Sequence, residues 1–284
     1  MTEKDLKVTF YSKETLRCPV CDASFKREEL LSGGGRLIAG LLTDELHRKY
    51  ETSVKYGDIH PLIYQPTVCP ACWFASSEAD FMHIPEESKE RALQDRDNRI
   101  ADVQHLFPQV DFTSPRDLFS GTAATYLVLR CYDVYTKEFS PTIKQAIQSL
   151  RCGWLFDELH DRYPGQHYDW LALLFKKKAR FFYRQAILLE QSGREPLSGI
   201  KNFGPDTDKN YGYEGALYLT SLLELKYGNR EPEDKRVEAL GAAKRTIAKI
   251  FGLGKSSKAK PGPLLEKARN LYDAINMELH ETDD

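Results

Sequence analysis

The pattern of apolar and polar positions changes character near residue 84. Before it, Lys7 to Tyr11 (Lys-Val-Thr-Phe-Tyr) and Leu62 to Val68 (Leu-Ile-Tyr-Gln-Pro-Thr-Val) are short runs rich in β-branched and aromatic residues, and they predict strands. After it, apolar residues recur at helical spacing, as in Leu118, Thr122, Tyr126 and Leu129, and again in Leu171, Leu174, Phe175, Phe182 and Leu189. Pro85 followed by Glu86 and Glu87, Ser114-Pro115 and Ser140-Pro141 each put proline at a first helical position, the latter two behind a serine N-cap. Pro164-Gly165, Ser192-Gly193, Gly228-Asn229 and Gly252 supply stops. Seven helices follow, near residues 86–106, 115–136, 141–161, 168–191, 213–227, 234–251 and 263–280.

Seven antiparallel helices with mostly short connections predict a bundle or an array of helical hairpins, whose concave faces bind other proteins in many repeat folds. One connection is long. Glu195 to Gly212 contains Pro196, Gly199, Gly204 and Pro205 and exceeds the length of most ordered loops, so it is expected to be disordered or functional and to border a partner-binding groove.

Composition narrows the class. With 41% apolar, 29% charged and 11% aromatic residues in 284, the chain has enough apolar side chains for a full core and is not disordered. Its first residues, Met-Thr-Glu-Lys-Asp-Leu-Lys, match neither a secretory nor a transit signal, and the apolar run Leu37–Leu42 is too short to cross a bilayer. A cytoplasmic location is the expectation. The net charge of −2 conceals an asymmetry: residues 1–170 carry 20 basic and 26 acidic side chains, residues 171–270 carry 20 and 11, and the last fourteen carry five acidic and no basic ones. The basic stretch fits solvated helix surfaces, with nucleic acid as the alternative.

Six cysteines stand at 18, 21, 69, 72, 131 and 152, and the first four form two identical Cys-Pro-x-Cys units. Each unit presents two sulfurs on one side of a tight turn, and two such turns complete the tetrahedron that zinc requires. Cys18, Cys21, Cys69 and Cys72 are therefore expected to hold one structural zinc, with iron in a rubredoxin-like site as the alternative. A disulfide framework suits short secreted chains instead. The fold class is then mainly α, with a small N-terminal β zinc-ribbon-like module over residues 1–83 and a helical domain, an antiparallel bundle or hairpin array, over 84–284. Cys131 and Cys152 lie among apolar neighbours in helical patterns and are expected to be buried thiols. Ser32-Gly33-Gly34-Gly35-Arg36 lacks the lysine and the context of a phosphate loop and predicts a turn.

Further residues carry a resemblance. Cys18-Pro19-Val20-Cys21 with Phe25, then Arg36-Leu37, Asp44, Tyr50, His60 to Tyr64 and Cys69 to Ala75 resemble an uncharacterised bacterial family. Its members join paired Cys-Pro-x-Cys knuckles to C-terminal helices similar to tetratricopeptide repeats. A looser match continues through Tyr218-Leu219, Leu225, Tyr227-Gly228, Ala239, Ala243, Ile247 and Pro263 to Arg269. The resemblance implies a zinc-binding, partly helical-repeat protein and no reaction. Where the family usually has glycine after the second knuckle this chain has Trp73, which predicts a modified knuckle backbone.

No Ser-His-Asp, Walker or Rossmann pattern is present, and no catalytic residue is assigned. Asp-Glu-Leu-His occurs at 44–47 and again at 157–160, but Glu and His two apart face different sides of a helix, so the repetition is taken as coincidence. His60 and His83 flank the second knuckle and are expected to pack or cap. The leading functional expectation is a non-catalytic zinc-binding adaptor that holds a protein or peptide partner in a helical groove. The alternatives are a nucleic-acid-binding protein using Lys176 to Arg184, and an enzyme with a site in the groove. The basic strip of Lys176–Arg184 and Lys244–Lys260 is expected to bind nucleic acid weakly and non-specifically.

Overall fold

The computed structural model describes residues 6–252 and 262–281. Its N-terminal part is a set of β-hairpins. Strand β1 (Thr9–Tyr11) pairs with β4 (Glu28–Leu30), and within that loop β2 (Leu16–Arg17) pairs with β3 (Ser24–Phe25). A second hairpin joins β5 (Ile38–Leu42) to β6 (Arg48–Glu51), and a third joins β7 (Pro66–Val68) to β8 (Ala75–Ser77). All four pairings are antiparallel, and every sheet among the described residues has two strands. The strand expected over 7–11 is β1, which lies just before the first knuckle and encloses it by pairing with β4. The run at 62–68 begins as a 3-10 turn, Pro61–Tyr64, and becomes a strand only at Pro66.

The remainder is mainly helical: α1 (Glu78–Phe81), α2 (Glu86–Gln94), α3 (Arg96–Leu106), α4 (Leu118–Cys131), α5 (Pro141–Arg162), α6 (Tyr168–Gln191), α7 (Gly212–Tyr227), α8 (Glu233–Gly252) and α9 (Gly262–Glu281). From α4 on, consecutive helices pack on one another. His160 near Asp169 and Gly153 against Lys176 show α5 and α6 running antiparallel. Arg180 bonds to Glu224, the Ser221 hydroxyl reaches Ala243 O, and Arg236 pairs with Glu278, stitching α6 to α7, α7 to α8 and α8 to α9.

Local signals place most helix ends, and long-range bonds move the others. The single helix expected over 86–106 breaks at Asp95, where the Arg99 guanidinium takes the Ala92 carbonyl at 2.9 Å and the Asp95 carboxylate turns to Arg130 at 3.1 Å. Ser114-Pro115 does not start α4. Arg116 N donates to Glu28 and its guanidinium to Ile63 O and Pro66 O, which holds the chain extended until Asp117. There Asp117 and Ser120 form a reciprocal capping box. Pro141 does open α5, but Ser140 is left-handed and gives its hydroxyl to Pro196 O; Glu195 caps from a distance through Thr142 N at 2.7 Å. Ser32 to Arg36 is the expected turn, closed by Arg36 on Gly33 O.

A two-stranded hairpin is marginal alone in water, so the N-terminal hairpins need another surface. Helix α4 provides it, packing against β7, β8 and the Pro61–Tyr64 turn, and one hydrophobic core runs from Cys18 and Cys72 through Phe74, Phe81 and Val103 into α4 and α5. At Gly121 the helix comes closest: a Cβ there would stand 2.6 Å from Ile63 Cγ2 and nearer still to Ile63 Cβ. Gly121→Ala is expected to destabilise the fold by about 1–3 kcal/mol through overpacking, read as a lowered urea midpoint.

The Glu195–Gly212 connection is packed, with Glu195, Leu197, Phe203, Asp206 and Tyr211 all buried. It braces the start of α5 and the β5–β6 hairpin. Lys255, Lys258 and Lys260 of the expected basic strip lie outside the described residues.

Candidate functional site

The two Cys-Pro-x-Cys units form the turns of the β2–β3 and β7–β8 hairpins with one bonding pattern. Cys18 N donates to Ala23 O and Asp22 N to Cys18 O; Cys69 N donates to Phe74 O and Trp73 N to Cys69 O, all at 2.9 Å. Asp22 and Trp73 are left-handed, with φ of 62° and 56°. The modified backbone expected at Trp73 is therefore absent: the residue takes the conformation glycine adopts freely, and its ring packs edge-on against Phe112 at 5.0 Å.

The turns face each other so that the four sulfurs lie within 4.8 Å of one another, with Cys18 Sγ 3.7 Å from Cys72 Sγ and Cys21 Sγ 3.6 Å from Cys69 Sγ. None is in a disulfide. This cluster could hold a metal ion, and no other group of three or more such ligands gathers among the described residues. Hydrogen bonding within the cluster holds Cys69 well below the ordinary thiol pKa and pushes Cys18 up to about 12, so the bare thiols do not ionise together. A bound cation stabilises all four thiolates at once.

The second knuckle is held from behind by a side chain that the spacing of cysteines does not reveal. Arg99, buried on α3, donates to Cys72 O at 2.8 Å, Trp73 O at 3.1 Å and Ala92 O at 2.9 Å. Cys131 on α4 accepts from Ala75 N at 3.3 Å, and burial pushes its thiol up to about 11; Cys152 is likewise buried and raised. Both are free thiols outside the cluster, as their apolar neighbours predict.

Residues 11–275 match the bacterial family described as "Uncharacterized protein conserved in bacteria (DUF2225)". The chain belongs to that family. An "Uncharacterized protein" of Borreliella burgdorferi is 40% identical over 274 residues, spanning 96% of this chain and 98% of that relative. No solved structure matches. No helix among the described residues is long and apolar enough to cross a membrane.

The two Asp-Glu-Leu-His segments adopt different conformations yet converge. The first is not helical: it is the tip of the β5–β6 hairpin, with Leu46 left-handed and wholly buried. The second lies on α5. The tip sits on α5 and α7. Glu45 accepts from Trp154 Nε1 at 2.6 Å and from Tyr227 and Lys226, Tyr218 donates to Asp44 O at 2.9 Å, and Lys267 pairs with Asp44. Burial works to raise the pKa of Glu45, but its bonds to Tyr227, Lys226 and Trp154 hold it below the usual value. His47 Nδ1 lies 2.6 Å from Asp206, and Lys49 pairs with Glu158. Neither copy of the repeated tetrapeptide points to Asp206 or Trp154. His60 lies in the same region, whereas His83 bonds the Ala79 carbonyl at the end of α1; neither joins the cysteines.

The basic run on α6 divides between two faces. Lys176 pairs with Asp157 at 2.6 Å and Arg180 with Glu224 at 2.9 Å, so both are engaged by the body of the protein. On the outer face Trp170 is 61% exposed, Phe181 54% and Leu188 48%, with Leu173, Leu174, Lys177 and Arg184 exposed among them. Positions 170, 174, 177, 181, 184 and 188 follow helical spacing, and no carboxylate falls among them.

Proposed function

We propose that the chain is a cytoplasmic, non-catalytic adaptor, fastened by one structural zinc in a zinc-ribbon-like module, whose tetratricopeptide-like helices dock a protein partner. Four thiolates about 2.3 Å from zinc in a tetrahedron stand roughly 3.8 Å apart; two of the sulfur pairs here stand at 3.6 and 3.7 Å, and all four sulfurs lie within 4.8 Å of one another. With four cysteine ligands the shell has no position for a reacting water, which supports a structural metal. Iron fits the same distances, and elemental analysis of the purified chain separates the two metals.

The observation that carries the adaptor reading is the outer face of α6. A stripe of large apolar side chains on a solvated helix favours a partner that covers it. Lys177 and Arg184, interleaved without carboxylates, favour an acidic amphipathic segment. The opposite side of the array is less available, because the hairpin tip Asp44–His47 already packs on α5 and α7.

The test is titration with a labelled synthetic helix bearing leucines on one face and glutamates on the other. Saturable binding is expected, weakened at least tenfold in a Trp170→Ser, Phe181→Ser variant with unchanged circular dichroism, which corresponds to about 1.4 kcal/mol. Binding unaffected by that variant would refute the docking face. The same cations and rings favour nucleic acid as the second reading. With Lys176 and Arg180 already paired, a single-stranded oligonucleotide is expected to bind only weakly and to dissociate as salt is raised; submicromolar binding at about 150 mM salt would reverse the order of the two readings.

A further inference from the structure

The β5–β6 hairpin, the turn through His60 and helix α5 enclose a cleft of about 300 Å³ that the adaptor reading does not use. His47, Lys49, His60, Trp154 and Glu158 line it, with Pro61 and Leu155 supplying apolar wall. Its most constrained member is His47. Asp206, from the long connection, is only 1% exposed and accepts from His47 Nδ1 at 2.6 Å, Arg48 N at 2.7 Å and Thr207 N at 2.6 Å. Burial would raise the pKa of Asp206, but the bonds from His47, Thr207 N and Arg48 N hold it below the usual value. An ionised carboxylate only accepts, so Nδ1 carries a hydrogen, and in the neutral imidazole Nε2 is then the acceptor.

The ring is also fixed in its plane. It stacks on Trp154 at 4.3 Å and 12°, and the indole N–H is tied to Glu45. No protein group among the described residues hydrogen-bonds His47 Nε2. Across the cleft, Lys49 occupies Glu158 Oε1, while Oε2 stands 3.9 Å from His60 Nδ1, beyond hydrogen-bond range. Asp58 and Asp161 add two carboxylates to the lining. The Arg48 guanidinium is engaged by Asp208 and Gly40 O, which leaves Lys49 as the cation that opposes three carboxylates in the lining. Acceptors and negative charge therefore dominate a space with apolar walls.

We propose that this cleft binds a small organic ammonium, its N–H donors received by His47 Nε2 and Glu158 and its short apolar body lying against Leu155 and Pro61. Asp206 is the positioning residue that sets the tautomer. Two probes of equal size and opposite charge, n-butylammonium and butyrate, test this on the full chain by NMR of the Trp154 indole N–H and the His47 ring. Saturable shifts with n-butylammonium are expected, with butyrate at least tenfold weaker. Glu158→Gln is expected to weaken the ammonium at least tenfold. Asp206→Asn should do the same while the His47 ¹⁵N shifts report the hydrogen moving from Nδ1 to Nε2, a change that a purely structural Asp206 would not couple to ligand. If Asp206→Asn does not fold, Glu158→Gln alone decides. Equal or tighter binding of butyrate, no saturable shift with either probe, or unchanged ammonium binding in Glu158→Gln overturns the proposal.

Discussion

Replacing Cys72 with serine in the full chain is expected to abolish stoichiometric metal and to open the N-terminal hairpins to proteolysis. The hairpins hold few residues per strand, and the four sulfurs stand where the two knuckles face each other. Zinc binding is worth about 10–16 kcal/mol in small zinc peptides, and a metal held by this cluster would add its binding energy to the folding of residues 7–80. The damage should spread as far as α3, because Arg99 grips Cys72 O and Trp73 O, whereas α5 to α9 should stay folded through their extensive helix–helix packing, although the core is continuous with the knuckles. Limited proteolysis should therefore cut within residues 7–106, while far-UV circular dichroism keeps most of its helical signal. Cys152→Ser and Cys131→Ser are the controls: each places a hydroxyl at a buried thiol and costs stability, yet metal content stays at one per chain. Zinc retained at full occupancy in Cys72→Ser would refute the assignment of the cluster.

Arg99→Met is expected to cost about 3–5 kcal/mol, the largest loss from any substitution that leaves all four cysteines in place. The guanidinium is 1% exposed and joins three carbonyls from two segments, Ala92 on one side and Cys72 and Trp73 on the other. Methionine fills much of the volume but donates nothing, and each buried carbonyl left without a donor costs about 1–3 kcal/mol. Lysine does not rescue, since a single ammonium cannot span the three acceptors that the planar fork reaches. Because Cys72 O belongs to a ligand residue, metal affinity should fall about 10–100-fold, as when outer-shell partners of other metal sites are removed. Competition with a coloured chelator measures the affinity and urea denaturation the stability. Unchanged affinity would show that Arg99 braces the helices alone.

How legible each feature was in the sequence follows from the range of the interaction behind it. Two Cys-Pro-x-Cys turns reveal themselves because a turn is local and a half-filled ligand shell demands its other half, so Cys18, Cys21, Cys69 and Cys72 could be brought together across 47 intervening residues. The long helices of the C-terminal half were legible for the same reason: Pro141, Gly165 and Gly193 act on their own turns, and α5, α6 and α7 begin and end within a residue or so of their expected positions. Local rules failed where a distant partner outbid them. Arg116, drawn to Glu28 and to two carbonyls of the His60–Val68 segment, delayed α4, and Arg99 broke the helix after Asp95.

The tertiary structure alone decided what the remaining polar residues do. Asp44-Glu45-Leu46-His47 forms a hairpin tip whose place is set by Glu45 finding Trp154 and Tyr227, and by His47 finding Asp206, 159 positions away. Pairings of that separation leave no periodic trace, since each needs only one residue at each end. The same holds for the Glu195–Gly212 connection, whose length announced a role but whose buried Asp206 and helix-capping Glu195 gave no local sign of their partners. For α6, spacing identified an amphipathic helix, whereas which cations face solvent depended on Asp157 and Glu224 arriving from the neighbouring helices.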